Sequence, residues 1–168
     1  MNTADRSIDQ IDIALRRRFK FQPMLPDAGI IENELNLQGI DARDIGGIDL
    51  IRLFETLNAR IEILLDSQHL LGHALFIGCK TVADIANVIR RSVVPLLEEY
   101  FFDDTQKIQL IFNDLDASGD LRPTAIYQHR DLRADDYFPY TGDYMIDDKK
   151  HYFVSEDITK ASIEQIYE

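Results

Sequence analysis

Asp49-Leu50-Ile51-Arg52-Leu53-Phe54-Glu55-Thr56-Leu57-Asn58-Ala59-Arg60-Ile61-Glu62-Ile63-Leu64-Leu65-Asp66 reads as one amphipathic helix. Leu50, Leu53, Phe54, Leu57, Ile61, Leu64 and Leu65 recur at helical spacing and fall on a single face. Such a face must be covered, and the flanking sequence supplies the covers. Upstream, a short helix is expected over 30–37, then a loop ending at Gly46-Gly47. Downstream, 69–79 is less regular and contains Gly72 and Gly78. Thr81 and Asp84 resemble a helix-capping arrangement. After them Ile85, Val88, Ile89, Val93, Leu96, Leu97, Tyr100 and Phe101 form a second apolar stripe. Pro95 lies inside that stripe and predicts a kink. Thr105 opens a third helix, with Ile108, Ile111, Phe112 and Leu115 inward. Helices with compatible apolar faces bury one another. The expected fold is therefore mainly α, a small helical bundle over 25–115.

Both ends of the chain differ in texture from this middle. In residues 1–24, Ser7 and Gln10 suit a capping box, and Ile8, Ile11 and Leu15 continue at helical spacing to about Arg18. Phe19-Lys20-Phe21 alternates like a short strand before Pro23 and Pro26 break the pattern. Residues 116–168 hold six tyrosines, clustered acids, Pro123, Pro139 and Gly142. There Tyr152-Phe153-Val154 reads as a strand, and 158–166 as either a short helix or a closing strand.

Composition narrows the functions open to the chain. Its 168 residues carry a net charge of -12. Residues 1–24 contribute a net of +2, from Arg6, Arg16, Arg17, Arg18 and Lys20 against Asp5, Asp9 and Asp12, which leaves -14 on the rest. An acidic body grips a phosphate backbone poorly, so contact with DNA is expected to be indirect. No run approaches the roughly 20 apolar residues of a membrane span, and no signal-peptide core opens the chain. One cysteine, Cys79, excludes an internal disulfide and a cysteine-based zinc site. These features suit a cytoplasmic protein.

The segment 1–19 carries the most specific motif. Asn2-Thr3-Ala4-Asp5-Arg6-Ser7, followed by Asp12-Ile13-Ala14-Leu15-Arg16-Arg17-Arg18-Phe19, resembles the McrB-like branch of the AAA+ motor ATPases. In that branch the first run leaves a core strand at the sensor-1 position, and the second carries an arginine finger. The likeness continues through Leu57-Asn58-Ala59-Arg60-Ile61, Gly72-His73-Ala74-Leu75-Phe76 and Pro95-Leu96-Leu97-Glu98-Glu99-Tyr100-Phe101. It covers most of 1–115. The resemblance implies three parts. Residues 1–24 are the C-terminal remnant of an α/β core, 25–115 a helical lid, and 116–168 an aromatic and acidic tail with short strands.

The resemblance also assigns roles. Asn2 would orient the attacking water beside the γ-phosphate, since phosphoryl transfer rests on positioning and charge stabilisation. Arg17 and Arg18 would reach a neighbouring subunit's nucleotide, and Arg16 would be structural. Asp5 and Arg6 would be interface groups, and Arg60 a lid arginine near phosphate, unless it merely pairs with Glu55 or Glu62. The parent protein would be a ring, usually a hexamer, that hydrolyses GTP or ATP with magnesium and drives a nuclease subunit of a modified-DNA restriction system. The sequence contains no Gly-x-x-x-x-Gly-Lys-Ser/Thr segment and no apolar run ending in paired acids before Asn2. The chain is therefore expected to be a C-terminal piece of that parent, inactive and without a cofactor by itself. Two other readings stay open: a stand-alone lid-like interaction module, and a dynein-related ATPase with a protein client.

Three weaker patterns compete with these assignments. Asn2-Thr3-Ala4-Asp5 echoes the short element by which GTPases read guanine, but the sensor reading also explains the residues that follow. His69 and His73 have the i, i+4 spacing of metal-binding helices, yet no third ligand accompanies them and Gly72 weakens a helix there. Asp114-Leu115-Asp116-Ala117-Ser118-Gly119-Asp120 opens like a calcium-binding EF-hand loop. Its twelfth position is Ala125 instead of a bidentate Glu, so a solvated turn is expected and no metal site.

Overall fold

A computed structural model of the chain describes residues 24–102, 104–140 and 144–168. The core remnant expected over 1–24, with its capping box and strand, thus lies almost wholly outside the described residues. The described part is mainly helical with one two-stranded sheet. It forms two compact units that meet in the chain between Val88 and Ile89.

The first unit begins with helix α1 (Ala28–Leu37), capped by the Asp27 carboxylate, which accepts from Gly29 N at 2.8 Å. Ile31 and Leu35 point inward. At its end Gly39 takes φ 75°, Ile40 N donates to Leu35 O and Gly39 N to Asn36 O. That is a Schellman stop, which needs the left-handed residue that glycine tolerates. The chain next makes a tight hairpin turn in which Ile45 and Ile48 exchange both backbone hydrogen bonds, at 2.9 and 3.2 Å. Gly46 and Gly47 supply the two positive φ angles (63° and 91°) that such a turn demands. Arg43 ties this loop to α1 through Glu32 at 2.9 Å.

Helix α2 (Leu50–Leu64) is the long amphipathic element, capped by Asp49, which accepts from Arg52 N at 2.9 Å. Leu50, Leu53, Phe54, Leu57 and Ile61 are buried as expected, and Ile51 and Asn58 join them. Leu64 and Leu65 are only half-buried because the apolar cover ends there. A single 3-10 turn (His73–Leu75) interrupts the following loop. Helix α3 (Val82–Val88) then starts with a reciprocal cap: Asp84 N donates to Thr81 Oγ1 at 3.2 Å, and Thr81 N to Asp84 Oδ2 at 2.9 Å.

In the second unit the helix does not simply kink at Pro95. Residues Ile89–Val93 form a π-helical turn, after which helix α4 (Val94–Tyr100) resumes with Pro95 in its first turn. Proline lacks the N–H that would bond the carbonyl four residues back, and its ring crowds that carbonyl. A wider turn immediately before it relieves both problems. Ile89, Val93, Val94, Leu97 and Phe101 are buried, whereas Leu96 and Tyr100 are only half-buried. Helix α5 (Gln106–Ile111) follows. It buries Ile108, Ile111 and Gln109, and Phe112 just beyond it, while Leu115 is half-buried.

The expected strand at 152–154 is the end of β2 (Lys149–Val154). Its antiparallel partner β1 (Tyr127–Leu132) was not foreseen. The register runs from Tyr127 opposite Val154 to Leu132 opposite Lys149. Between them lies a one-turn helix, α6 (Ala134–Tyr137). The alternative left open over 158–166 resolves as a helix, α7 (Lys160–Glu164), with Thr159 and Ser162 capping each other. No helix among the described residues is long and apolar enough to cross a membrane.

Candidate functional site

Asn2, Asp5, Arg6, Arg17 and Arg18 lie outside the described residues, whereas the lid motifs lie within them. The first two motifs each pack on the segment that flanks the other. Asn58, in the middle of the buried face of α2, accepts from Leu71 N at 2.6 Å and donates to Leu71 O at 3.2 Å. Its amide thereby satisfies both backbone groups of a residue that is 1% exposed. An unpaired buried amide would cost about 1–3 kcal/mol, so the pair fixes where the 66–72 loop crosses α2. Four residues along the helix, Phe54 meets Phe76 edge-to-face at 5.5 Å and 72°. Phe76 is fully buried.

His73, from the second motif, is joined to α1. Asp27 N donates to His73 Nδ1 at 3.3 Å, which places the proton of the neutral ring on Nε2. His69 turns elsewhere, with Nδ1 on Asp66 Oδ1 at 2.8 Å. The two histidines therefore serve different partners despite their spacing. Among the described residues no group of three His, Cys, Asp or Glu side chains is placed to hold a metal ion. Cys79 is buried and its thiol is pushed up to about 12, chiefly by that burial, so it is a poor nucleophile and ligand.

A cleft of about 570 Å³ opens beside this knot, between the start of α1 and the outer side of α2. Leu25, Pro26 and Leu70 form its apolar walls, and Asp27, Glu55 and Glu62 its acidic ones. The start of α1 offers a positive dipole end, but three carboxylates oppose it. The cleft does not suit a triphosphate. Arg60 is not among its lining residues; it sits half-buried on α2, where burial lowers its guanidinium pKa.

The third motif anchors the other unit. Glu98 accepts from Tyr127 OH at 3.0 Å, and burial raises that phenol further out of the physiological range. Arg90, in the π-helical turn, donates to Ser155 O at 3.2 Å and to Glu156 O. The calcium-like run opens on a core residue. Asp114 is fully buried, with Ile126 N and Gln165 Nε2 on Oδ1 and Tyr127 N on Oδ2, all at 2.7 Å. Burial pushes its carboxyl up to about 7, against the pull of those donors and Arg122. Asp116 instead closes a turn, accepting from Ser118 N at 2.8 Å and Asp120 N at 3.1 Å. Both acids are thus engaged within the chain.

Sequence reading missed Asn58 and Asp114 as organisers. The one usable signal for Asn58 was its place in an otherwise apolar helix face, four residues after Phe54 and three before Ile61. Nothing comparable marked Asp114, which sits among other acids.

Comparison with known proteins agrees with this packing of the motifs. The sequence profile of the family described as "McrB, alpha-helical lid domain" matches residues 49–109. The "Type IV methyl-directed restriction enzyme EcoKMcrB subunit" of Escherichia coli (strain K12) is 33% identical over 126 residues, covering 68% of this chain and 27% of that protein. The matched region is therefore under a third of that relative's length. The stretch 49–109 is a McrB-type alpha-helical lid, and the chain belongs among the McrB-like proteins.

Proposed function

We propose that this chain is the lid-bearing part of a McrB-type restriction subunit, in which the lid rides on a ring-forming core that hydrolyses GTP or ATP with magnesium. The observation that carries the reading is the lid at 49–109 lying downstream of the Asn-Thr-Ala-Asp-Arg-Ser and Arg-Arg-Arg runs. In this reading Arg17 and Arg18 reach the nucleotide of a neighbouring subunit and spread positive charge over the γ-phosphate. Such a finger contributes ~10³–10⁵ in rate, or about 4–7 kcal/mol of barrier. Asn2 orients the attacking water. Asp5 and Arg6 brace the subunit boundary, and Arg60 supports the lid's approach to the nucleotide. A nuclease subunit is the partner that the motor serves, and DNA is engaged through other parts of the assembly.

The acidic cleft of the lid supports placing the phosphates elsewhere, on the core of the assembled ring. The 168-residue chain alone should then release no phosphate from GTP or ATP above buffer. In the full-length subunit, Arg17→Ala should lower turnover at least a thousandfold while nucleotide binding stays within about threefold, as read by phosphate release and by titration with a fluorescent nucleotide. Wild-type turnover in that variant would refute the finger assignment.

A further inference from the structure

Strand β2 pairs on one side only. The sheet has two strands, and in an antiparallel pair alternate residues turn their N–H and C=O groups toward the partner. Ser155 N donates to Ile126 O at 2.8 Å, whereas Tyr127 turns away from β2, its N donating to Asp114 and its O accepting from Gln109. By that alternation Lys149, His151 and Phe153 bond β1, while Lys150, Tyr152 and Val154 point their backbone groups out of the sheet. Among the described residues no other backbone segment bonds those groups. Such an edge is a template for another extended chain. The strand lies outside the matched lid, 49–109.

The side chains along the edge select what can be added to it. β2 reads Lys149-Lys150-His151-Tyr152-Phe153-Val154, basic in its first half, apolar in its second and without an acid. Lysines on an edge discourage indiscriminate pairing. Beside the basic half, Arg133, Lys149 and Lys150 line a hollow of about 320 Å³ together with Asp131 and Asp148. Asp148 Oδ1 already accepts from Ala134 N at 2.7 Å, so the hollow stays positive and suits a carboxylate. In the apolar half Phe153 is 38% exposed, and Glu156 and Asp157 follow it. A second copy of β2 fits this pattern poorly. Paired antiparallel about Tyr152, it sets Ser155 and Val154 opposite the two lysines, and Asp157 and Glu156 against Asp147 and Asp148. Like charges directly opposite are unfavourable, whereas opposite charges stabilise a strand pair. We infer that the free edge of β2 takes an antiparallel extended segment of a separate partner protein, with apolar residues beside Tyr152 to Val154 and acids beside Lys149 and Lys150. Main-chain hydrogen bonds supply the affinity of such a pairing and the alternate side chains its specificity. None of these residues is assigned a part in nucleotide hydrolysis.

The test uses the whole chain and a fluorescein-labelled heptapeptide, Lys-Val-Thr-Val-Thr-Glu-Glu, read by anisotropy and mapped by amide chemical shifts. The wild type should bind it with shifts concentrated in 149–155. With the glutamates beside the lysines, the amides of both valines and of the first glutamate face β2. N-methylating those three should weaken binding by roughly tenfold or more, because three hydrogen bonds are lost. N-methylating the threonines and the last glutamate, whose amides face away, should leave binding within about threefold. Lysines in place of both glutamates should abolish binding to the wild type and restore it to the Lys149→Glu, Lys150→Glu double variant. Absence of binding to the wild type would overturn the proposal, as would equal losses from the two methylated peptides or shifts spread over other surfaces. Val154→Pro removes an outward N–H and leaves the pairing with β1 in place. Self-association of the wild type that this variant abolishes would also overturn the proposal, by assigning the edge to a second copy. The methylated peptides decide the matter on the unaltered chain even if a variant misfolds.

Discussion

Asp114 shows how much one side chain can organise. Its two oxygens hold the start of β1 and the C-terminal Gln165 at 2.7 Å, while Arg122 N donates to its backbone oxygen at 2.8 Å. Burial raises its carboxyl to about 7 from an ordinary 3.8. Between about pH 4 and pH 7 the folded chain holds a proton there that the unfolded chain has released. Its contribution to stability is therefore fully present below about pH 4, falls as pH rises and is lost above about pH 7. Asp114→Asn removes that dependence and sets its amide N–H₂ against Tyr127 N–H, a loss of about 1–3 kcal/mol. The stability gap between wild type and the variant should narrow between pH 5 and pH 7, by at most about 1.4 kcal/mol per pH unit. Urea denaturation across that range measures it, and a gap independent of pH would contradict the assignment. The letters Asp-x-Asp-x-Ser-Gly look alike whether the first acid is solvated or enclosed, so this role was not legible in the sequence.

At the scale of elements, the joint between α2 and the 66–72 loop rests on Asn58. Asn58→Ala leaves Leu71 N–H and C=O buried without partners and should destabilise the chain by about 1–3 kcal/mol. Asn87→Ala, at an exposed position of α3, should change stability by less than about 0.5 kcal/mol. Equal effects in denaturant melts would show that the clamp contributes nothing. Helices were the legible elements because their periodic apolar residues and their caps at Thr81 and Asp84 are local signals. Strand β1, Tyr-Gln-His-Arg-Asp-Leu, was not legible. Most of its side chains are polar and partly exposed, and what makes it a strand is a partner distant in the sequence, with Tyr127 opposite Val154 and Leu132 opposite Lys149. The π-helical turn was half legible: Pro95 announces a disturbance, but whether a helix bends or widens depends on the packing of Ile89 and Val93.

At the scale of the whole molecule, buried and exposed aromatic side chains are separated along the chain. The buried side chains concentrate in the helical stretches and around β1 and α7, while large exposed aromatics gather in 137–146. Limited chymotrypsin digestion should therefore cut first at Tyr137, Tyr140 or Tyr144, before any bond in α2 or α4. Mass spectrometry of the earliest products identifies the site, and first cuts within α2 would contradict the packing described for it. The family was legible from the opening motif of 1–19 and from three short motifs of the lid, where Asn58 holds Leu71 and Phe76 meets Phe54. The acidic cleft was not, since Asp27 comes from a different helix than Glu55 and Glu62.

The hydrogen bond from Ala134 to Asp148 has an engineering consequence. At 2.7 Å, just beyond the Leu132–Lys149 pair, it closes the β-hairpin at its loop end, so strand pairing does not depend on how much chain loops out past it. Lengthening that excursion adds only closure entropy, about 0.6 kcal/mol for each doubling. A fluorescent reporter or an affinity handle grafted after Tyr140 would thus extend a connection whose foot is already fastened, leaving the strand pair to form as before.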